Sequence, residues 1–288
     1  MKMDKLIIKG GKKLSGEVTI SSAKNATLPI LAATLLVDGK THFKNLPELQ
    51  DVHFTFKLLE NLGAKIQEGS TTVIDTSNID NLEAPYDLVR KMRASILVLG
   101  PLLARFGKAR VSLPGGCAIG TRPIDLHLSG LAQMGAKIDL EQGYVNASCD
   151  KLVGCKIDLR FPSVGATENL IMAAALAEGK TVINNAAAEP EISDLCNFLS
   201  QRGVEISGAG TSSIKIIGVD KLKDNTSEYE IISDRIVSLT YLIAALMTKS
   251  EVLIKNTRAE DFQSVIELLM NAGANFEITE NSNKGFKS

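Results

Sequence analysis

Leu59-Glu60-Asn61-Leu62-Gly63-Ala64-Lys65-Ile66 comes back as Leu131-Ala132-Gln133-Met134-Gly135-Ala136-Lys137-Ile138. It returns again as Leu199-Ser200-Gln201-Arg202-Gly203-Val204-Glu205-Ile206 and, more loosely, as Leu269-Met270-Asn271-Ala272-Gly273-Ala274-Asn275-Phe276. The four glycines stand 72, 68 and 70 residues apart. A second series keeps the same period. Gly39-Lys40, Gly107-Lys108, Gly179-Lys180 and Lys249-Ser250 each follow an apolar segment and precede a strand-like one. Two independent series with one period identify a repeat of about 70 residues, and that repeat decides the fold.

Each unit opens on an Ala/Leu/Ile-rich segment (27–37, 94–105, 167–177 and 236–247) with a polar start and a Gly-Lys stop or its equivalent. That pattern predicts buried helices. Short strands follow at 41–46, 109–113, 181–185 and 251–255. An amphipathic helix then ends at the repeat glycine, as in 52–62 with Phe54, Leu58, Leu59 and Leu62 apolar; glycine suits a left-handed C-cap. A hairpin closes the unit, 64–67 with 72–75 or 137–140 with 144–147. Helix–strand–helix–strand–strand, four times over, is α+β and not a doubly wound nucleotide fold. Gly39-Lys40-Thr41 and Gly179-Lys180-Thr181 look like pieces of a phosphate loop. Thr34 and Ala174 stand where that motif requires its first glycine, so both read as helix-to-strand turns.

The chain has 288 residues, 44% hydrophobic and 23% charged, within the range of globular proteins, and its length fits two domains. Its 32 Lys+Arg balance 33 Asp+Glu, and aromatics are 5% with no Trp, so neither bulk charge nor stacking platforms point to nucleic acid. Charges interrupt the N-terminus where a signal peptide needs an apolar core, and no apolar run reaches the ~18 residues of a membrane helix. No membrane partner is expected. Four cysteines (Cys117, Cys149, Cys155, Cys196) are too few for a disulfide framework, and no CxxC pair or His cluster accompanies them. The expectation is a reduced, cytoplasmic protein with no metal and no cofactor.

Function is expected where the repeats depart from their own pattern. The first departure, Ile20-Ser21-Ser22-Ala23-Lys24-Asn25-Ala26, places Lys24 and Asn25 at a helix start, where free N–H groups accept an anion. The second, Leu113-Pro114-Gly115-Gly116-Cys117-Ala118-Ile119-Gly120-Thr121-Arg122-Pro123, continues neither helix nor strand and carries one thiol beside a guanidinium, a setting that lowers a thiol pKa. The third, Phe161-Pro162-Ser163-Val164-Gly165-Ala166-Thr167-Glu168, opens the third buried helix with a hydroxyl and a glycine. Arg93, opening the second buried helix, is a fourth anion contact. Cys149, Cys155 and Cys196 read as packing residues. No Ser-His-Asp set or paired carboxylates support hydrolysis.

The sequence resembles the enolpyruvyl transferases of UDP-N-acetylglucosamine over essentially its whole length. The resemblance rests on Ser22-Ala23-Lys24-Asn25-Ala26, Ala84-Pro85-Tyr86-Asp87-Leu88-Val89, Met92-Arg93-Ala94-Ser95, Ser112-Leu113-Pro114-Gly115-Gly116-Cys117, Ile119-Gly120-Thr121-Arg122-Pro123-Ile124-Asp125-Leu126-His127 and Ser163-Val164-Gly165-Ala166-Thr167. It implies two inside-out α/β barrel domains of three repeats each, closing over substrate. It also implies transfer of enolpyruvate from phosphoenolpyruvate to the 3′-hydroxyl of UDP-N-acetylglucosamine, with release of phosphate, at the start of peptidoglycan synthesis. By matching position, Lys24, Arg93 and Arg122 hold the phosphate and carboxylate of phosphoenolpyruvate, and Asn25 reaches the sugar. Arg122, Pro123, Ile124, Asp125 and Leu126 hold the uridine end. Phe161, Pro162, Ser163 and Val164 hold the diphosphate; some relatives carry a lysine near Phe161, so here backbone N–H groups are expected to serve. Cys117 is implied as proton donor to the vinyl carbon, as the site of a covalent phosphoenolpyruvate adduct and as the target of the epoxide fosfomycin. The related 5-enolpyruvylshikimate-3-phosphate synthases share the repeat but not the Pro-Gly-Gly-Cys loop.

The family has six repeats and this sequence shows four. The expectation is a complete three-repeat domain at 21–223 and a second, incomplete one made of 1–20 with 224–288. The family's aspartate general base comes from the later repeats. A separate C-terminal segment is therefore a candidate partner, the chain alone is expected to bind weakly and turn over little, and the apolar faces of 236–247 and 262–270 are expected to be partly uncovered. The alternatives are a fragment that only binds nucleotide sugar, or a transferase closer to the shikimate enzyme.

Overall fold

The structure, a computed structural model, describes residues 7–89, 93–113, 124–223, 225–279 and 285–287. The chain divides into two compact units, Ser22–Ile232 and Met1–Ser21 with Ser233–Ser288. Strand β1 (Ser15–Thr19) precedes the first repeat, which runs α1 (Lys24–Ala33), β2 (Lys40–Lys44), α2 (Gln50–Asn61), β3 (Lys65–Gln67) and β4 (Thr71–Asp75). A short strand β5 (Glu83–Ala84) and α3 (Tyr86–Val89) lead to the second: α4 (Leu99–Phe106), β6 (Lys108–Ser112), α5 (Asp125–Gln133), β7 (Lys137–Glu141) and β8 (Tyr144–Ser148). After β9 (Lys156–Asp158) come α6 (Val164–Ala175), β10 (Lys180–Asn184), α7 (Pro190–Ser200), β11 (Glu205–Ser207) and β12 (Ser213–Ile217). Finally β13 (Glu228–Glu230) is followed by α8 (Arg235–Met247), β14 (Glu251–Lys255), α9 (Gln263–Asn271), β15 (Glu277–Thr279) and β16 (Gly285–Lys287).

The helices and hairpins lie where the periodicity puts them, within a few residues. The four repeat glycines all have positive φ, 106° at Gly63, 98° at Gly135, 97° at Gly203 and 87° at Gly273, so a left-handed residue ends each amphipathic helix. The second buried helix differs at its start. Arg93–Val98 is a 3-10 turn, and α4 begins at Leu99, so that Pro101, which has no N–H, falls in the first α-turn where that donor is not needed.

Each sheet has four strands in one order: β13-β2-β4-β3, β5-β6-β8-β7, β9-β10-β12-β11 and β1-β14-β16-β15. The first pair of each is parallel and the other two antiparallel. A repeat supplies three strands itself, and its parallel edge strand comes from the stretch before it. In the larger unit the third repeat feeds β13 back to β2 of the first, which closes the set and puts Glu228–Glu230 in this unit. The four sheets remain separate among the described residues, so the inside-out arrangement is one of buried helices beneath open sheets and not a continuous β-barrel. Helices α1, α4 and α6 pack together with the 3-10 turn at the centre, and Ile30, Leu31, Leu99, Leu102, Leu170 and Ile171 are completely buried there.

The closing strand is clasped by aromatic rings. Tyr229 pairs with Phe43 across the sheet. Phe198 of α7 stacks on Phe43 at 6.2 Å and meets Tyr229 edge-on at 5.1 Å. The Tyr229 hydroxyl donates to Asp194 Oδ1 at 2.6 Å, and burial with the neighbouring carboxylate pushes its pKa up, so it stays a donor.

The smaller unit looks different. Its core is Ile20, Leu242, Ala245, Val252, Ile254, Phe262 and Ile266. On α8 Ile236, Val237, Tyr241, Ile243 and Met247 are exposed, as are Leu268 and Met270 on α9. These are the faces the sequence expects to be uncovered.

The clasp makes a direct prediction. Tyr229→Phe should lower unfolding free energy by about 1–2 kcal/mol through the lost hydrogen bond, and Tyr229→Ala by about 3–5 kcal/mol through the cavity. Urea denaturation reads both. An unchanged midpoint in Tyr229→Ala would mean that the ring does not need its closing strand.

Candidate functional site

Residues 114–123 lie outside the described residues, so Cys117, Arg122 and Pro123 are not placed. Their neighbours are. Ile124 and Asp125 are half-buried at the start of α5, and Leu126 is buried beneath them. Phe161 and Pro162 are exposed, and Ser163 and Val164, half-buried, begin α6. An ion pair between Arg160 and Asp125 Oδ2 joins the two segments. Two stretches implied to hold one nucleotide sugar are thus brought to the same place by a contact spanning 35 residues. The other carboxylate oxygen, Asp125 Oδ1, is buried and has no hydrogen-bond partner among the described residues. A buried acceptor without a donor is costly, and a ligand N–H or O–H removes that cost.

The start of α6 is built to receive negative charge. Ser163 takes an extended N-cap conformation, and its side chain accepts from the Ala166 N–H. The Val164 and Gly165 N–H groups ahead of it point out of the helix end, and no acidic residue occupies the first turn. At α1 the N-cap Ala23 offers no side-chain cap, again with no acid in the first turn. Lys24 lies there, half-buried, with its ammonium 3.3 Å from Asp51 on α2, and Asn25 is exposed beside it. Arg93 begins the 3-10 turn. Because α1, that turn and α6 pack on one another, the three helix starts come from a single buried cluster.

Three residues of this region escape the sequence reading. Arg160 supplies a cation beside Phe161, where backbone N–H groups alone are expected. His127 is buried against α6, and Asn169 on α6 bonds to it. Arg160 adjoins a segment already singled out, and His127 ends the Asp125-Leu126-His127 run, so proximity to both was the available signal. Asn169 sits inside an apolar helix and gave none.

The electrostatics of the buried groups are uneven. Burial raises the thiol pKa of Cys155, burial and Asp150 raise that of Cys149, and burial pushes Cys196 to about 12. Glu168, one turn into α6, is fully enclosed; burial first, then the charges of Glu191 and Glu189, hold its pKa well above 4.5.

The sequence profile of EPSP synthase (3-phosphoshikimate 1-carboxyvinyltransferase) matches residues 8–287. A UDP-N-acetylglucosamine 1-carboxyvinyltransferase of Geotalea uraniireducens is 53% identical over 272 residues, covering 94% of this chain and 65% of that protein. One of Desulfatibacillum aliphaticivorans is 54% identical over 282 residues, 98% of this chain and 67% of the relative. The chain thus spans about two-thirds of the length of the curated relatives it matches. Among solved structures, the enolpyruvyl transferase NikO from Streptomyces tendae superposes with a TM-score of 0.85 at 22% identity, over 97% of this chain and 66% of that one. EPSP synthase from Acinetobacter baumannii gives 0.77 at 20% identity, over 98% and 66%. At such identities the two structures bear on the fold alone.

Two outcomes follow from the electrostatics. Brief iodoacetamide treatment at pH 7.5 should label Cys117 first, Cys149 and Cys155 slowly, and Cys196 only after unfolding, since thiolate is the reacting form; peptide mass spectrometry checks the order, and early labelling of Cys196 would contradict it. Glu168 keeps its proton to a higher pH in the folded chain than in the unfolded one, where it ionises near 4.5, so above that pH the folded state binds the extra proton and its stability falls as pH rises. Glu168→Gln should therefore be more stable than the parent at pH 7, by a margin that shrinks towards pH 4.5, in parallel urea titrations.

Proposed function

The chain belongs to the EPSP synthase family of enolpyruvyl transferases, and on that premise we propose that it carries the larger share of a UDP-N-acetylglucosamine 1-carboxyvinyltransferase. The observation that carries the reading is 53% identity to relatives of that name over 94% of the chain. The shikimate-enzyme alternative has in its favour the family profile over residues 8–287 and structural likeness at 20% identity.

In this reading the sugar 3′-hydroxyl oxygen bonds to C2 of phosphoenolpyruvate while a proton reaches C3. The hydroxyl proton passes to a base. Loss of a C3 proton and of the phosphate from C2 then restores the vinyl group, so that one enol ether and one inorganic phosphate leave. Lys24, Arg93 and Arg122 meet the phosphate and carboxylate, Asn25 the sugar, Arg122 to Leu126 the uridine, and Phe161 to Val164 the diphosphate. Fixed cations and helix-start N–H groups suit this work because they are oriented before charge develops on the leaving phosphate. Cys117 delivers the proton to C3, forms the adduct with phosphoenolpyruvate and is the group alkylated by fosfomycin. The setting is cytoplasmic peptidoglycan synthesis, and hence cell shape and division; no described helix is long and apolar enough to cross a membrane.

The resemblance implies that the base is an aspartate of repeats beyond the four seen here, and we assign it to a further segment that covers the smaller unit. Support comes from comparing repeats. Leu62 O accepts from Asp80 and Asn81 N–H, Met134 O from Val153 N–H at 2.9 Å, and Arg202 O from Lys223 N–H at 2.8 Å. In each case the chain leaving a repeat caps the carbonyl ahead of the repeat glycine. Ala272 occupies that place in the fourth repeat, and no corresponding donor is present among the described residues. Beside it an apolar groove of about 570 Å³, lined by Ala245, Leu246, Met247 and Leu269, continues the exposed faces of α8 and α9. Contiguous apolar surface of this kind marks an interface.

The chain alone should therefore release phosphate roughly 10²–10⁴-fold more slowly than the Geotalea uraniireducens relative, the usual cost of a missing general base. Adding the separately expressed part of that relative which this chain does not match should restore turnover. Met247→Glu should block the restoration without altering the circular dichroism. Rapid turnover by the chain alone would show that the base lies within these 288 residues.

A further inference from the structure

Asn169 lies at the centre of the larger unit, completely buried among the helices. Its Oδ1 accepts the Gly100 N–H at 2.7 Å, and its Nδ2 donates to Ile96 O at 3.1 Å and stands 3.0 Å from Nδ1 of His127. A backbone N–H only donates and a carbonyl only accepts, so the amide has one permitted orientation, with its oxygen towards Gly100. The second amide hydrogen then points at His127 Nδ1 and makes it an acceptor. The ring proton is left on Nε2. Burial depresses the His127 pKa to about 4, with the Asp125 carboxylate opposing only part of the effect, so the ring is neutral at physiological pH.

The Nε2 edge faces the first turn of α6. A β-carbon placed on Gly165 would lie 3.5 Å from Nε2 and 3.4 Å from Cε1, ordinary contact distances, so this edge of the ring lies directly against the start of α6. His127 is only 6% exposed, and its Nε2 has no partner among the described residues. The same helix end presents the Val164 and Gly165 N–H groups, and Arg160 lies across it on Asp125.

We propose that His127 is a fixed, uncharged hydrogen-bond donor to a phosphoryl oxygen seated at the start of α6, and that Asn169 is the positioning residue that keeps its proton on Nε2. The phosphoryl group is that of the nucleotide diphosphate, and in this respect the inference rests on the substrate proposed above. A neutral imidazole fits better than a cation here. It supplies direction without the cost of enclosing a charge, and Asn169 sets that direction before the ligand arrives.

Long-range proton–nitrogen correlation spectra of the whole chain read the tautomer directly. The expected result is a protonated Nε2 and an unprotonated Nδ1 in the ligand-free protein, and a shift at Nε2 when UDP-N-acetylglucosamine is added. Asn169→Leu should redistribute the ring proton between the two nitrogens. Should that variant fail to fold, a second pair tests the same point. His127→Gln places an amide nitrogen near Nε2 and should bind UDP-N-acetylglucosamine within about 3-fold of the parent, whereas His127→Asn should lose roughly 10-fold, the scale of one hydrogen bond to a charged oxygen. A protonated Nδ1 in the parent, or equal binding by the two variants, would overturn the role of His127 and leave the substrate reading intact. No binding by the parent would overturn the substrate reading and the ligand half of this one, while the tautomer result would still decide the role of Asn169.

Discussion

The parallel pairing of a strand carried over from the preceding repeat is the interaction on which the fold depends. A repeat owns three strands and leaves one edge of its sheet unpaired, and an open edge is both unstable and adhesive. The borrowed strand fills it: β5 on β6, β9 on β10, β13 on β2. The junction of β9 on β10, and that of β1 on β14 in the smaller unit, are each pinned by an asparagine in the left-handed region. Asn185, with φ 53°, donates its amide to Leu159 O at 2.9 Å, and Asn256, with φ 54°, donates to Ile20 O at 2.7 Å. A short polar side chain tolerates that backbone and reaches the neighbouring strand end at once. No repeat of the larger unit is complete alone, and three are complete because the third returns to the first.

The same constraint places the chemistry. With the sheets outside, the first helix of every repeat in the larger unit is driven to the centre, where each polar group needs a partner. The helix bodies meet this demand with Ala, Leu and Ile, together with the Asn169 node. The helix starts cannot, because their first N–H groups have no intrahelical acceptor. A negative ligand is the kind of partner that satisfies such groups. Lys24 and Ser163–Val164, which break the repeat pattern, stand at two of these starts.

Much of this was legible in the sequence. The repeat glycines, the buried helices and the hairpins follow from periodicity and from turn chemistry that act over a few residues. The borrowed strands did not show. Glu83-Ala84 and Lys156-Ile157-Asp158 are too short for a pattern, and their pairing is settled by partners elsewhere in the chain. The site divides in the same way. Lys24 and Phe161 to Val164 stand out as departures from the repeat, and Asp125 is reached through the family resemblance. The Arg160 bridge to Asp125 and the Asn169 bond to His127 span 35 and 42 residues and exist only once the helices pack. Neither was readable from spacing. The uncovered faces of α8 and α9 were, because counting repeats already shows how many neighbours a helix lacks.

One small detail at the seam between the units bears on how such a molecule can be rearranged. Ala23 N–H donates to Ile232 O at 2.7 Å, and one step outward Asp234 N–H donates to Ser21 O at 2.9 Å. The chain leaves β1, builds a closed three-repeat ring and returns to the place it left. The ring is thus an insertion whose two ends touch, and it can be moved as a cassette. Joining Ser22 to Ile232 through a short linker and opening the chain at a repeat junction gives a circular permutant with every borrowed strand still in reach. Cutting at the same two points leaves a small host whose β1 and β14 still pair, so the boundary that the hydrogen bonds mark is also the natural line along which a gene can be divided.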